Sequence, residues 1–146
     1  MLTIGYLGNS ELRNKLFNIV KNNGGNLPVI ISPLAYVSKN SQIKEGTIIM
    51  HQAILNADTT IAENCIINNK ALIEHDSVVG NNTHISTGAI INGNCKIGNN
   101  CLIGSHSVIK HAVNICDNVI IGAGAVVTKN ITESGIYVGN PAKKIK

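Results

Sequence analysis

The sequence predicts an all-β fold, a parallel β-helix of about seventeen hexads behind a short N-terminal strand and helix, on three observations. The first is an apolar residue at every sixth position from Ile31 to Val127, without one exception. A fixed period of this kind marks a coil of short repeated strands. The second is a column of small or β-branched residues four positions later, from Ala35 to Ile131, which holds three of the four cysteines. The third lies between them, where Asn or Gly recurs at Asn40, Gly46, Asn64, Asn82, Gly88, Asn94, Asn100, Asn118, Gly124 and Asn130. These are the residues that tolerate a left-handed corner. Three six-residue steps close one coil, so eighteen residues advance the chain by one strand spacing of about 4.8 Å and residues eighteen apart stack.

In chain order, residues 2–5 read as a short strand, and Asn9-Ser10 offers a helix cap. A helix follows from Glu11 to Val20, with Leu12, Leu16, Ile19 and Val20 on one face. Asn22-Asn23-Gly24-Gly25 ends it, because glycine takes the left-handed cap, and Pro28 comes after. Residues 1–30 are too little for a domain. They read either as a cap over the open end of the coil or as the tail of a nucleotide-binding domain. Residues 31–132 are the β-helix and 133–146 a C-terminal tail. Outward apolar residues of the coil, such as Ile48, Ile54, Ile66 and Leu72, predict association with other copies of the chain.

Composition agrees and excludes several function classes. The 146 residues are 44% hydrophobic but only 3% aromatic, which suits a narrow interior filled by Ile and Val. A net charge of +4 with no arginine-rich run or aromatic cluster speaks against nucleic acid and leaves the lysines to a small polyanion or to solubility. No apolar stretch approaches the about 20 residues of a membrane span, and no leader is evident, so the chain reads as soluble and cytoplasmic. No cysteine pair has CxxC spacing. Cys65, Cys95 and Cys101 read as small buried hydrophobes, Cys116 stands beside Ile115, and neither disulfides nor structural zinc are expected.

Chemistry concentrates between Ile73 and His84. His75 stands two residues after Ile73 and is followed by Asp76. A neutral imidazole can take a proton near pH 7, and an adjacent carboxylate can fix its tautomer and raise its basicity. His75 is also placed to be only a solvated corner histidine. Asp76 occupies the position usually filled by Asn or Gly, so it serves either the corner or the base, with Glu74 as the weaker substitute. Gly93 lies eighteen residues beyond His75 and stacks above it. Its N–H could meet a carbonyl attacked from the His75 side, or the glycine could serve only a corner.

With these hexads, Glu74-His75-Asp76, His84 and the closing Val138-Gly139-Asn140-Pro141-Ala142-Lys143-Lys144, the chain resembles hexapeptide-repeat acetyltransferases. Within them it is most similar to the sialic acid O-acetyltransferase and UDP-4-amino-sugar N-acetyltransferase branch of bacterial surface-glycan synthesis. The resemblance implies a left-handed coil, an exception to the right-handed crossover rule. It also implies a homotrimer that holds acetyl-coenzyme A between neighbouring prisms, and a sugar or sugar-nucleotide acceptor. By the same resemblance His75 matches the catalytic base, Asp76 its orienting acid and His84 a histidine contacting the donor. Gly93 matches a backbone donor to the thioester carbonyl, and Ser105 and Ala123 match positions lining the pantetheine arm. Lys143 and Lys144 could meet coenzyme A phosphates or form a solvated tail. The family usually carries a Rossmann-like domain ahead of the coil, of which residues 1–30 would be a remnant.

Two other readings stay open. γ-Class carbonic anhydrases share the prism and bind zinc through three histidines, and His106 and His111 have their five-residue separation. The remaining ligand position, 36 residues before His106, is Lys70, so no metal site is read. His111 lies 36 residues after His75, in the same column but about two strand spacings away. The other reading is a trimeric scaffold without catalysis.

Overall fold

In the computed structural model, Leu2, Ile4, Gly5 and residues 10–146 are described. Among the described residues the strands form three parallel sheets, the faces of a triangular prism. The first face runs from Ile30–Ile31 through His84–Ile85 to Gly135–Val138, with Lys143–Lys144 added antiparallel. The second face runs from Tyr36–Val37 to Val126–Val127, and the third from Gln42–Ile43 to Asn114–Ile115. As far as Val119–Ile121, Val126–Val127 and Asn114–Ile115 the pairing within each face is eighteen residues apart, as in Ile66↔His84↔Leu102. The turn after each first-face strand makes the first edge of the prism, that after each second-face strand the second edge, and that after each third-face strand the third edge.

The hexad column is the core. From Ile49 to Val127 each of its residues is buried, whereas Ile31 is 46% exposed at the first coil. The left-handed corner falls three residues after each inward apolar residue, once per hexad from Gly46 to Gly124, including Gln52, Lys70, Asp76 and Ala112. Non-glycine residues there cost roughly 1–2 kcal/mol each, which the stacked ladder outweighs. Asn40 and Asn130 do not take the left-handed form, so the rhythm of corners begins later and ends earlier than the seventeen hexads predicted.

Small polar residues are tolerated inside because the next coil satisfies them. Thr47 donates from Oγ1 to the Ala62 carbonyl at 2.7 Å and accepts from the Cys65 N–H at 3.0 Å; Ser77 and Thr83 repeat the pattern against Asn92 and Cys95, and against Gly98 and Cys101. The buried cysteines use the same place, Cys65 Sγ donating to Gly80 O at 3.1 Å. Burial pushes the Cys65 thiol up to about 12 and the Cys101 thiol to about 11, so both stay protonated.

The strand predicted at residues 2–5 is not seen at Leu2, Ile4 or Gly5, and Thr3 and Asn9 lie outside the described residues. The helix spans Glu11–Asn22 and ends as expected, with Gly24 at φ 73°. Ser10 stands at its N-cap position but its side chain makes no capping bond; it donates instead to Asn100 Oδ1. The predicted helix face is wrong. Leu12 and Ile19 are 55% and 47% exposed, and the buried residues are Arg13 and Phe17. The reason is the surface beneath. The helix lies along the third edge, not across an open end as a cap would, and that edge presents carbonyls, amides and a glycine. Arg13 donates to the carbonyls of Gly46, Asn64, Leu2 and Ile4, Asn14 donates to Asn100 Oδ1, and Phe17 packs where a side chain at Gly46 would stand.

The outward side chains differ by face. The second face presents Tyr36, Ile54, Leu72, Ile90, Val108 and Val126, with Tyr36 and Ile54 exposed, whereas the third presents Gln42, Thr60, Val78, Lys96 and Asn114. On the first face Ile66, expected outside, is only 8% exposed, because Leu2 and Ile4 share with it the walls of a cavity. Among the described residues no helix is long and apolar enough to cross a membrane.

The residues 133–146 do not trail away from the coil. Gly135–Val138 pairs with Val119–Ile121 in a register of sixteen residues (Ile121↔Tyr137), and the isolated bridge Ile115↔Ile131 has the same shortened spacing.

Candidate active site

His75 and Asp76 sit on the second edge, where Leu72–Ile73 turns into Val78–Val79. Asp76 holds the left-handed corner at φ 59°, and its Oδ2 accepts a hydrogen bond from His75 Nδ1 at 2.8 Å. Holding the corner therefore does not keep Asp76 from hydrogen-bonding the imidazole. A carboxylate only accepts, so Nδ1 carries the proton and Nε2 keeps the lone pair. That hydrogen bond, with the charges of Asp76 and Glu74, holds His75 above the ordinary imidazole range. Glu74 does not take the place of Asp76; its Oε2 accepts from Asn56 Nδ2 at 2.8 Å. Both members of the pair are more than half exposed, so a substrate can reach them.

Nε2 leans over Gly93. A Cβ built on Gly93 would come within 2.6 Å of His75 Nε2 and 2.8 Å of Cε1, and the imidazole supplies all three of its nearest contacts. The backbone of Gly93 is not in the left-handed region, so the corner does not require glycine here. What requires it is room for the imidazole. On the third edge the equivalent N–H groups of Glu63, Asn81 and Asn99 are taken by the side chains of Asn81, Asn99 and Asp117 one coil on. The Gly93 N–H has no acceptor among the described residues, and a free donor beside a base suits a developing oxyanion.

The remaining expected site residues are elsewhere in the chain. His84 opens a strand of the first face, is 6% exposed and lies 3.3 Å from Asn68 Nδ2 through Nε2. It lines a cavity of about 410 Å³ shared with Arg13, Met50 and Ile66. The third face separates it from His75. Ser105 and Ala123 stand one coil apart on the first edge, each with an N–H that has no acceptor among the described residues. Lys144 pairs with Glu133 at 3.1 Å, and Lys143 borders a cleft of about 260 Å³ with Lys129, Asn130 and Tyr137. One chain thus assembles His75, Asp76 and Gly93, and leaves His84, Ser105, Ala123, Lys143 and Lys144 apart from them. It also brings in His111, whose ring centre is 6.3 Å from that of His75. His106 is on the first edge and His111 on the second. Among the described residues no three His, Cys, Asp or Glu side chains gather as a metal site.

The class of protein to which this coil of hexads belongs follows from comparison with known proteins. The family model described as bacterial transferase hexapeptide (six repeats) matches residues 76–111 and 94–129. The acetyltransferase domain of PglB from Neisseria gonorrhoeae FA1090 is 32% identical, with a TM-score of 0.92 over 95% of this chain and 68% of that one; it is also known in complex with acetyl coenzyme A. PerB from Caulobacter crescentus, in complex with CoA and GDP-perosamine, is 30% identical with a TM-score of 0.91 over 96% and 68%. WeeI from Acinetobacter baumannii AYE is 28% identical with a TM-score of 0.89 over 95% and 68%. No curated protein sequence matches the chain. The chain belongs to the hexapeptide-repeat transferases, as an acetyltransferase of the left-handed β-helix type.

Proposed function

We propose that this protein transfers the acetyl group of acetyl-coenzyme A to the amine of an amino-sugar nucleotide, with His75 as the general base. The single observation that carries the reading is the His75 imidazole, fixed by Asp76 through Nδ1 and presenting Nε2 over Gly93. The amine attacks the thioester carbon and Nε2 takes its proton. The Gly93 N–H meets the carbonyl oxygen as it becomes an oxyanion. The carbon–sulfur bond then breaks, the thiolate of coenzyme A leaves, and the proton passes from His75 to the thiolate or to solvent. An amine rather than a hydroxyl is favoured by the likeness to a protein described as perosamine N-acetyltransferase. The test is a panel of amino sugars, their nucleotides and sialic acids with acetyl-coenzyme A, scored by free thiol release. Turnover with the sialic acids alone would refute the amine reading.

The working unit is a homotrimer. His84 is on a different face from His75, so only a neighbouring copy can bring a first face against the second edge, and the apolar column from Tyr36 to Val126 offers a surface for that contact. Sedimentation should give three chains per particle; a monomer at micromolar concentration would contradict this arrangement.

Asp76→Asn should move the acid limb of the pH–rate profile to lower pH. The carboxylate stabilises imidazolium, so without it His75 releases its proton at lower pH and the neutral base is present further into acid. The plateau should fall as well, because the weaker base is also a poorer one. Asparagine accepts the left-handed corner, so the fold should not change.

Lys143 and Lys144 are expected to meet donor phosphates. Lys144 is already paired with Glu133, so Lys143→Ala should weaken coenzyme A binding more than Lys144→Ala does, with turnover at saturating donor unchanged. Calorimetric titration with coenzyme A checks this, and equal affinities for both variants and wild type would return the lysines to solubility.

A further inference from the structure

His111 takes no part in the acetyl transfer proposed above, and its position is unusual. Ala57, His75, Gly93, His111 and Lys129 hold the same place on the second edge in successive coils, with Asn94 N–H donating to His75 O at 2.8 Å and Ala112 N–H to Gly93 O at 3.0 Å. Side chains two coils apart would stand about 9.6 Å from each other if both pointed straight out. The rings of His75 and His111 are instead 6.3 Å apart, centre to centre, and inclined at 46°. Gly93 lies between them and has no side chain to fill the gap. The His75 ring itself takes that space, so the two imidazoles form a nearly continuous pair along the edge, and His75 Nε2, the atom that must take the proton, lies over the Gly93 backbone. An acceptor atom within hydrogen-bond reach of Nε2 therefore stands against the outer side of this pair, where a polar group next to it along the substrate reaches the second ring.

We propose that His111 is an acceptor-binding residue: it hydrogen-bonds the polar group next to the attacking one, a hydroxyl on the neighbouring carbon, and so turns the attacking lone pair toward the thioester. This rests on the proposed function, in that the acceptor is a sugar and His75 its base. It adds a source of specificity, since a sugar lacking that neighbouring hydroxyl would leave His111 without its partner.

The test uses the panel sugar with the greatest His75-dependent thiol release, together with its deoxy analogue at the carbon beside the attacking group. His111→Ala and His111→Phe should each raise the acceptor KM about tenfold, the loss typical of one hydrogen bond. His111→Gln should recover most of it. The KM for acetyl-coenzyme A should stay within about twofold, and the deoxy analogue should be used equally by wild type and His111→Ala. An unchanged acceptor KM in His111→Ala, full activity in His111→Phe, or a change in donor KM instead would overturn the proposal. Imidazole NMR of the coenzyme A-saturated enzyme separates it from the reading beneath it. A sugar that moves both His75 and His111 resonances supports the paired binding, and one that moves His75 alone overturns the role of His111. If no panel sugar moves either, the acceptor class itself is wrong, and the proposal falls with it.

Discussion

His75→Ala should lose on the order of 10² to 10⁴ in turnover while its KM for acetyl-coenzyme A stays within about twofold of wild type. The side chain is exposed at an edge and is hydrogen-bonded to Asp76, so its removal opens no cavity and the variant should melt with the native protein. The loss belongs to the chemical step because the proton taken by Nε2 belongs to the acceptor. Asp76→Asn acts through the same imidazole, so adding it to His75→Ala should cost nothing further; a double variant slower than the single one would give Asp76 an independent part. Steady-state kinetics varying each substrate in turn checks both statements.

The second large effect is expected at Gly93, where adding one methyl group should lower activity about 10²-fold with little change in stability. The Gly93 backbone suits any residue, and the alanine Cβ would meet nothing nearer than an imidazole that can rotate away at small cost. Rotation carries Nε2 away from the Gly93 backbone, and a displacement of about 1 Å at a reacting centre can cost that much. If crowding is the whole cause, Gly93→Ala should have no effect in the His75→Ala background. A further loss there would mean that the Gly93 N–H, rather than the space above it, had been disturbed.

Much of this was legible in the chain because a period of six leaves little freedom. Once Ile31 to Val127 share one column, strand positions, the eighteen-residue register and the stacking of Gly93 on His75 follow from arithmetic. Between Gly46 and Gly124 the left-handed corners followed as well, even where Lys70 or Ala112 replaces Asn, because the coil imposes the conformation on whatever residue stands there. The helix was misread for the opposite reason. Apolar periodicity identifies a buried face only when the partner surface is apolar, and the third edge is a row of amides and carbonyls that takes Arg13 and Asn14 while Leu12 stays in solvent. The last coil was missed because its register shortens to sixteen residues, which no six-residue template detects. That His75, Asp76 and Gly93 come together could be read from spacing, whereas the roles expected of them came from the resemblance. The approach of His111 could not, since it depends on two rings leaning across a glycine; a histidine 36 residues from the base with glycine midway was the available signal.

The central claim is that His75 is the group whose loss of a proton switches the reaction on. It is tested most directly by following the His75 imidazole by NMR across pH in the coenzyme A-saturated enzyme and comparing its pKa with that of the acid limb of kcat/KM for the acceptor. The neighbours that bear on this titration are Asp76, Glu74 and His111. The account predicts that the two values coincide, that they lie above the ordinary imidazole value of about 6.5, and that both fall together in Asp76→Asn. A kinetic limb that stays in place while the His75 titration moves would contradict it.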